Sequence, residues 1–577
     1  MRLSAVRTAK GTRLYVIKST YDPKTKKRSS RIVEKLGSEE EIRGREGCGD
    51  ARAWAKAHIE ELNRKEKEEG AAVLIRYEPS RLIASGTRRR YSGGYLFLQR
   101  LYHELGLDEI CREIMERSGF EYDLDAILSR LVYGRVLHPS SKRATSEFSK
   151  SLLEPPSFEP HQVYRALEVL AAESDGIQAA LYKSSLALSK RKDTILHYGC
   201  TNFFFETDEE EGLKRYGVSK EHRPDPIVQM GLFMDADGVP LAFRLSPGSA
   251  NEQVMMRPLE ETVLKDFELS RFIVCTDAGL SSKASREFNT RGGRAFITTQ
   301  SLKTLPDYLK AWALKDSGWR VPGSEKTFDL SKADEETFYD RLFYKERRTK
   351  DKDGFEQRLI VTFSFKYRAY QARCRERQII RAETLIGKGP GAVSKRGAHD
   401  PKRLIETVAV TDEGEIAGKS VSALDTDRIA KEAETDGFYA VATSLMEDGD
   451  TADILKVSAG RWQIEECFRI MKSEFRARPV YLSRGERIEA HFLTCFIALL
   501  VYRLLEQRLG ERHTCSEIID TLRSMDFLEA PGEGYIPLYT RTALTDGLHE
   551  VSGFRTDYEI VTNQTMRRVI GKSRKRK

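Results

Sequence analysis

The stretch Asp193–Thr299 constrains the fold most. It opens with "DTILHYGCTNFFFE", where Ile195, Leu196, Tyr198 and Phe203 to Phe205 supply the apolar and aromatic mass of a buried strand. "PIVQMGLFMDADGVPLAFRLSPG" follows as two strands joined at "DADG", a hairpin signal. A polar helix from Asn251 to about Lys265 comes next. The strand "RFIVCTDAGL", a helix near Ser282 to Asn289 and the strand "RAFITT" complete the run. Three strands, helix, strand, helix, strand is an α/β pattern, an antiparallel meander continued by alternating elements in one mixed sheet. That order matches the first part of an RNase H-like core. Gly199 lies at the centre of the first strand, where glycine weakens pairing unless something must approach the backbone closely.

The chain has 577 residues, enough for several domains. Its net charge of +8, from 96 basic and 88 acidic residues, is too small to name a polyanion partner. Its distribution is more informative. Basic clusters at Lys24 to Arg31, Arg88 to Arg90, Lys345 to Lys350 and Gly571 to Lys577 suit a phosphate backbone, or else belong to solvated loops and a tail. Eight scattered cysteines form no C-x-x-C pair, which argues against a zinc ribbon. The start "MRLSAVRTAKG" lacks a secretory apolar core. The most apolar run, Phe492 to Leu505, is shorter than a membrane span and contains Arg503, so it reads as a buried core helix. These features predict a cytoplasmic protein with reduced thiols and no membrane partner.

Six segments are expected. Residues 1–90 form a basic β-hairpin region, with Asp22-Pro23 punctuating two β-rich runs, and a charged helical connector from Ala51 to Gly70. Residues 91–190 are helical, either a DNA-binding unit or a plain support. Residues 191–302 carry the first half of the core. Residues 303–435 interrupt it as an inserted domain that includes the loop "GPGAVSKRG". Residues 436–510 return to the core, with the strand "DGFYAVATSL" leading into a long helix from near Asp453. Residues 511–577 form a C-terminal region with a basic tail.

Chemistry concentrates in "GRWQIEECFRIMKSEF" (460–475). On a straight helix Arg461, Glu465 and Lys472 fall at roughly 0°, 40° and 20°, one narrow stripe. Ile464, Phe468, Met471 and Phe475 form an apolar stripe about 70° away. A carboxylate between two cations then borders the core, as a cleft residue would, although Arg461 and Glu465 also have the spacing of a structural i,i+4 pair. Asp277 ends a buried strand just before Ala278-Gly279, where α/β sheets bind ligands. With Glu465 it forms a candidate divalent-metal site.

At these residues the chain resembles the DDE transposases of bacterial insertion sequences. The spacing R-x3-E-x6-K, as Arg461, Glu465 and Lys472, is similar to the glutamate-bearing signature written Y-x2-R-x3-E-x6-K. "CTDAGL", "LHYGCTNFFFE" and the run from Ala477 to Glu506 resemble the same proteins, so the likeness covers roughly residues 190–510. The resemblance implies an RNase H-like catalytic core interrupted by a β-rich insertion. It implies three acids holding Mg²⁺ or Mn²⁺ for in-line phosphoryl transfer on DNA. It implies double-stranded DNA as partner, both terminal inverted repeats and target, and a homodimer, nucleoid-associated when DNA-bound. Asp277 matches the second acid and Glu465 the third, as catalytic and metal-binding residues. Arg461 and Lys472 match residues that hold DNA phosphates.

Two positions depart from the family. The signature tyrosine falls at Ser458, a residue still able to contact a phosphate. The first acid falls at Gly199. Asp193 and Glu206 are about 20–23 Å away along a strand, and His197, about 7 Å away on the same face, is a poor ligand for Mg²⁺. Asp235 and Asp237 look like turn residues. The expectation is therefore a transposase whose copy here is crippled at its first acid. Two alternatives stand beside it: another nuclease of the RNase H class, and a transposase-derived DNA-binding protein without cleavage.

Overall fold

The computed structural model describes residues 1–8, 11–22, 27–46, 49–69, 73, 75, 77–324, 326–388, 400–410, 419–446 and 451–576. The "GPGAVSKRG" loop and Cys48 lie outside them. The chain divides into two compact units: Met1–Arg89 with Leu528–Pro537 and Asp557–Met566, and all the rest.

In the first unit, β1 (Arg2–Thr8), β2 (Gly11–Asp22) and β3 (Lys27–Ser38) form an antiparallel sheet in that order. The expected hairpin is the β2–β3 pair, and β1 adds a third strand to it. Helices α1 (Glu39–Glu46) and α2 (Ala51–Glu69) follow. Leu14, Val16 and Leu36 of the sheet pack on Ile42, Ala55 and Ile59 of the helices, a core for this unit.

The second unit begins with β4 (Arg90–Ser92) and six helices: α3 (Tyr95–Glu104), α4 (Leu107–Ser118), α5 (Leu124–Leu137), α6 (Lys142–Ser149), α7 (Pro160–Ala172) and α8 (Ser174–Leu188). Capping residues mark the starts of α5 and α6. Asp123 accepts from the Ala126 amide and Ser141 from the Ala144 amide, satisfying N–H groups that a helix leaves open.

The sheet then builds as the sequence order requires. β5 (Ile195–Phe204), β6 (Ile227–Asp235) and β7 (Pro240–Pro247) form the antiparallel meander. α9 (Glu252–Asp266) crosses to β8 (Ile273–Thr276), and α10 (Lys283–Phe288) to β9 (Ala295–Thr299). β8 runs parallel to β5 and β9 parallel to β8. The order β9-β8-β5-β6-β7 is the RNase H-like arrangement, buried along β5 and β6 by aromatic and aliphatic side chains. The turn after β6 is held by Asp235. Its buried carboxylate accepts from the Asp237 and Val239 amides, at 3.0 and 2.9 Å, and pairs with Arg191.

The interrupting segment extends this sheet. After α11 (Asp307–Leu314) come β10 (Ser317–Arg320), β11 (Thr327–Asp329), α12 (Glu335–Phe338), β12 (Phe343–Lys350) and β13 (Glu356–Phe363). The helix α13 (Phe365–Gly387), the hairpin β14 (Ile405–Val410)–β15 (Lys419–Leu424) and α14 (Thr426–Ala433) follow. β16 (Phe438–Thr443) then pairs with β13 on one side and β9 on the other, so ten strands form one sheet, β11-β10-β12-β13-β16-β9-β8-β5-β6-β7. The segment also has a core of its own around Trp319, Phe343, Phe363 and Phe365. Lys345, from a cluster that suits phosphate, turns inward instead. It lies over Trp319 at 4.2 Å and donates to the Lys315 carbonyl, and burial pulls its ammonium down to about 8.

The expected long helix from Asp453 is broken in two. α15 (Thr451–Ala459) ends at Gly460, α16 (Trp462–Arg469) restarts after Arg461, and a π-helical turn carries Ile470–Glu474. The stripe of Arg461, Glu465 and Lys472 therefore does not lie on one straight helix. The apolar stripe survives, because Ile464, Phe468, Met471 and Phe475 are all buried. α17 (Gly485–Arg508) runs through the helical layer, with Phe492 on Phe203 of β5 and Phe496 on Phe243 of β7. It is long and apolar enough for a membrane and is instead buried, as expected of a core helix.

Candidate active site

One cavity of about 1530 Å³ gathers all six residues singled out by the sequence: Gly199, Asp277, Ser458, Arg461, Glu465 and Lys472. The sheet register explains the first pair. β5 and β8 pair in parallel up to His197 opposite Cys275, so two residues further on Gly199 stands level with Asp277. That is the carboxyl end of β8, where an α/β sheet opens to a ligand, and the middle of the longer β5. α16 lies across the same end and brings Glu465 in its first turn.

The seat at Gly199 is closed. A Cβ placed there would meet Cδ1, Cγ1 and Cγ2 of Ile464 at 3.0, 3.2 and 3.2 Å, so any larger residue requires Ile464 to yield by a few tenths of an ångström. Ile464 is itself buried. The glycine thus answers its own puzzle, since what approaches the backbone is a side chain of the glutamate helix.

Asp277 is engaged by Arg461 in an ion pair. The same guanidinium donates to the Tyr439 hydroxyl at 2.9 Å and to the Ser458 carbonyl at 3.0 Å. Arg461 is thus spent on protein partners. Ser458 is buried, and its hydroxyl finds no hydrogen-bond partner among the described residues. Glu465 is exposed to the cavity and makes no ion pair among the described residues. His197 is buried beneath this cluster, with Gly460 close to its Nε2 side. Burial, aided by the charge of Arg461, pulls its imidazole down to about 4, so it is neutral near pH 7.

Lys472 reaches the far wall. Its ammonium lies 3.2 Å from Glu221 and 5.5 Å from the centre of the Phe203 ring. Burial and the nearby Lys220 lower it to about 8 despite the carboxylate, which it shares with Arg478. The loop bearing Lys220 and Glu221 carries no sequence signal, and its role is visible only because it folds over β5. Lys220 pairs with Glu252 at 3.1 Å. Arg223 and Arg478 stand over the Phe204 ring at 4.0 and 5.8 Å, so the aromatic run after Gly199 supports a cationic rim.

A two-metal centre needs several clustered carboxylates or other donors. Among the described residues no three His, Cys, Asp or Glu side chains gather to hold a metal ion. Gly199 supplies no side chain and is packed against Ile464, while Asp277 is neutralised by Arg461. The residues present do not fit that group.

The family model for the transposase DDE domain matches residues 204–501, a little over half of the chain. No curated protein matches it. Among solved structures, a cryo-EM structure of the piggyBac transposase synaptic complex with hairpin DNA is similar at 8% identity and a TM-score of 0.38, covering 82% of this chain and 87% of that one. The domain match spans β6 to β9, the sheet extension, and the helices that carry Glu465 and Lys472. This chain belongs to the DDE-domain transposases.

Proposed function

We propose that this chain is a DDE transposase copy that binds double-stranded DNA at insertion-sequence ends but does not cut or join it. The observation that carries this reading is the contact of Ile464 with Gly199, which leaves no carboxylate at the first-acid position and requires Ile464 to shift before one could be seated there. Phosphoryl transfer of this kind depends on metal-held positioning of nucleophile and leaving group, and the remaining acids do not provide it. The cationic rim of Arg478, Lys472 and Arg223 over Phe203 and Phe204 supports a DNA-binding role for the cavity. In this reading the chain acts as a homodimer in the bacterial cytoplasm.

The test is a cleavage and strand-transfer assay with Mg²⁺ or Mn²⁺ on duplexes carrying the flanking inverted repeats. The unmodified chain should bind and leave the DNA intact. Gly199→Asp combined with Ile464→Ala should restore metal-dependent cutting more than Gly199→Asp alone. Full activity of the unmodified chain would sink the proposal. Sequence-specific binding with no cutting by any variant would instead favour a DNA binder that has lost more than its first acid.

A further inference from the structure

A second pocket, of about 340 Å³, lies beside the first and shares Arg478 with it. Its wall is cationic: Arg135, Lys142, Arg476 and Arg478 line it, with His491 and Ser141. Among the described residues no carboxylate lines it. Lys142 is only 6% exposed, and its ammonium has no hydrogen-bond partner among the described residues. Arg135 is 4% exposed, and its Nε is likewise unpartnered there, while its other nitrogens donate to the backbone carbonyls of Phe475, Arg476 and Ser140.

This arrangement is unfavourable as it stands. A buried cation ordinarily has a paired anion or a full set of acceptors. Lys142 has neither and faces a second buried cation. It also opens α6, the positive end of that helix's dipole, where a lysine has the wrong sign. Three sources of positive potential therefore converge on one pocket: the lysine, the arginine and a helix N-terminus. Burial and Arg135 together lower the Lys142 ammonium to about 7. An oxyanion between these groups would satisfy all three and return the lysine to its charged form.

We propose that this pocket seats a phosphate oxyanion through Lys142, Arg135 and the amino end of α6, and that the phosphate belongs to a DNA strand continuing out of the neighbouring cavity past Arg478. The assignment to DNA rests on the reading given under Proposed function, whereas the oxyanion site does not.

Two binding measurements on the full chain separate these parts. Titration calorimetry with inorganic phosphate just below pH 7 should show binding to the unmodified chain, weakened at least about tenfold in Lys142→Met. No phosphate binding, or equal binding in the variant, overturns the oxyanion site. Anisotropy of a labelled duplex over a range of salt should give a plot of log affinity against log salt that is shallower by about 0.9 in Lys142→Met, the loss of one phosphate contact. Phosphate binding with an unchanged DNA slope overturns the DNA source and assigns the site to a free phosphate-bearing ligand. A chain that binds phosphate but no DNA at all refutes the function proposed above and leaves the oxyanion site standing. A lysine buried for structural reasons predicts a lower melting temperature in Lys142→Met, whereas an unpaired cation predicts an equal or higher one. Should that variant not fold, amine acylation of the unmodified chain, mapped by mass spectrometry, decides instead. Phosphate should protect Lys142 severalfold, and equal labelling with and without phosphate overturns the site.

Discussion

Arg461 holds the carboxylate of Asp277, the residue that matches the family's second acid. In this fold the two charges neutralise one another. Asp277→Asn should release the guanidinium towards DNA. Because the Asp277 side chain is 57% exposed, the change should cost under about 1 kcal/mol of stability. DNA affinity at low salt, without metal, should rise severalfold by anisotropy. A fall in affinity would show that Asp277 works with Arg461 in holding DNA.

Ile464 and Gly199 should be energetically coupled. Ile464→Ala alone removes buried apolar mass and should cost about 2–4 kcal/mol. Gly199→Asp alone forces Ile464 aside and buries a carboxylate, so it should also destabilise. Together their costs should sum to less than the separate values by at least about 0.5 kcal/mol. Urea denaturation of the four chains measures this, and strict additivity would refute the closed seat.

Glu221 neutralises both Lys472 and Arg478 on the opposite wall. Glu221→Gln frees two cations at the rim. It should tighten DNA binding and steepen its salt dependence, by up to about 0.9 in slope for each phosphate newly contacted. An unchanged slope would mean that neither cation meets DNA.

His197 makes the fold acid-sensitive. The unfolded chain takes up this proton near pH 6.5, whereas the folded chain resists it until about pH 4. Between those values the unfolded state binds more protons, so stability falls as pH falls. The loss attributable to His197 should reach about 3 kcal/mol across that window. His197→Asn should flatten the dependence between pH 6.5 and 4 in denaturation curves. His491, buried and also held neutral, contributes in the same sense and remains in that variant.

The Arg191–Asp235 pair, both side chains fully buried, anchors the β6–β7 hairpin. Arg191→Met strands a buried carboxylate and should cost about 3–5 kcal/mol. A loss under 1 kcal/mol, by thermal or urea unfolding, would mean that the amides of Asp237 and Val239 satisfy Asp235 without help.

Local pattern determined much of this protein. The meander, the α9 and α10 crossings and the buried α17 follow from apolar runs, a hairpin signal and polar helical periodicity, which neighbouring residues impose on one another. Candidate residues as distant as Gly199, Asp277 and Glu465 could be named together because the short runs that carry them resemble the motifs of one family, and local runs are legible in a sequence. Helix continuity was not legible in the same way. The break at Gly460–Arg461 and the π-helical turn depend on how α15 and α16 settle against β5 and His197, contacts that 3.6-residue periodicity does not encode. The strands of the interrupting segment join the sheet through β16, a pairing between residues far apart in the chain. Only tertiary packing decided the state of the site. Ile464 closes over Gly199, Arg461 turns onto Asp277, and Lys142 is left buried without an anion. Each follows from which side chains meet across the sheet edge and the helical layer, and a linear pattern carries no record of that meeting.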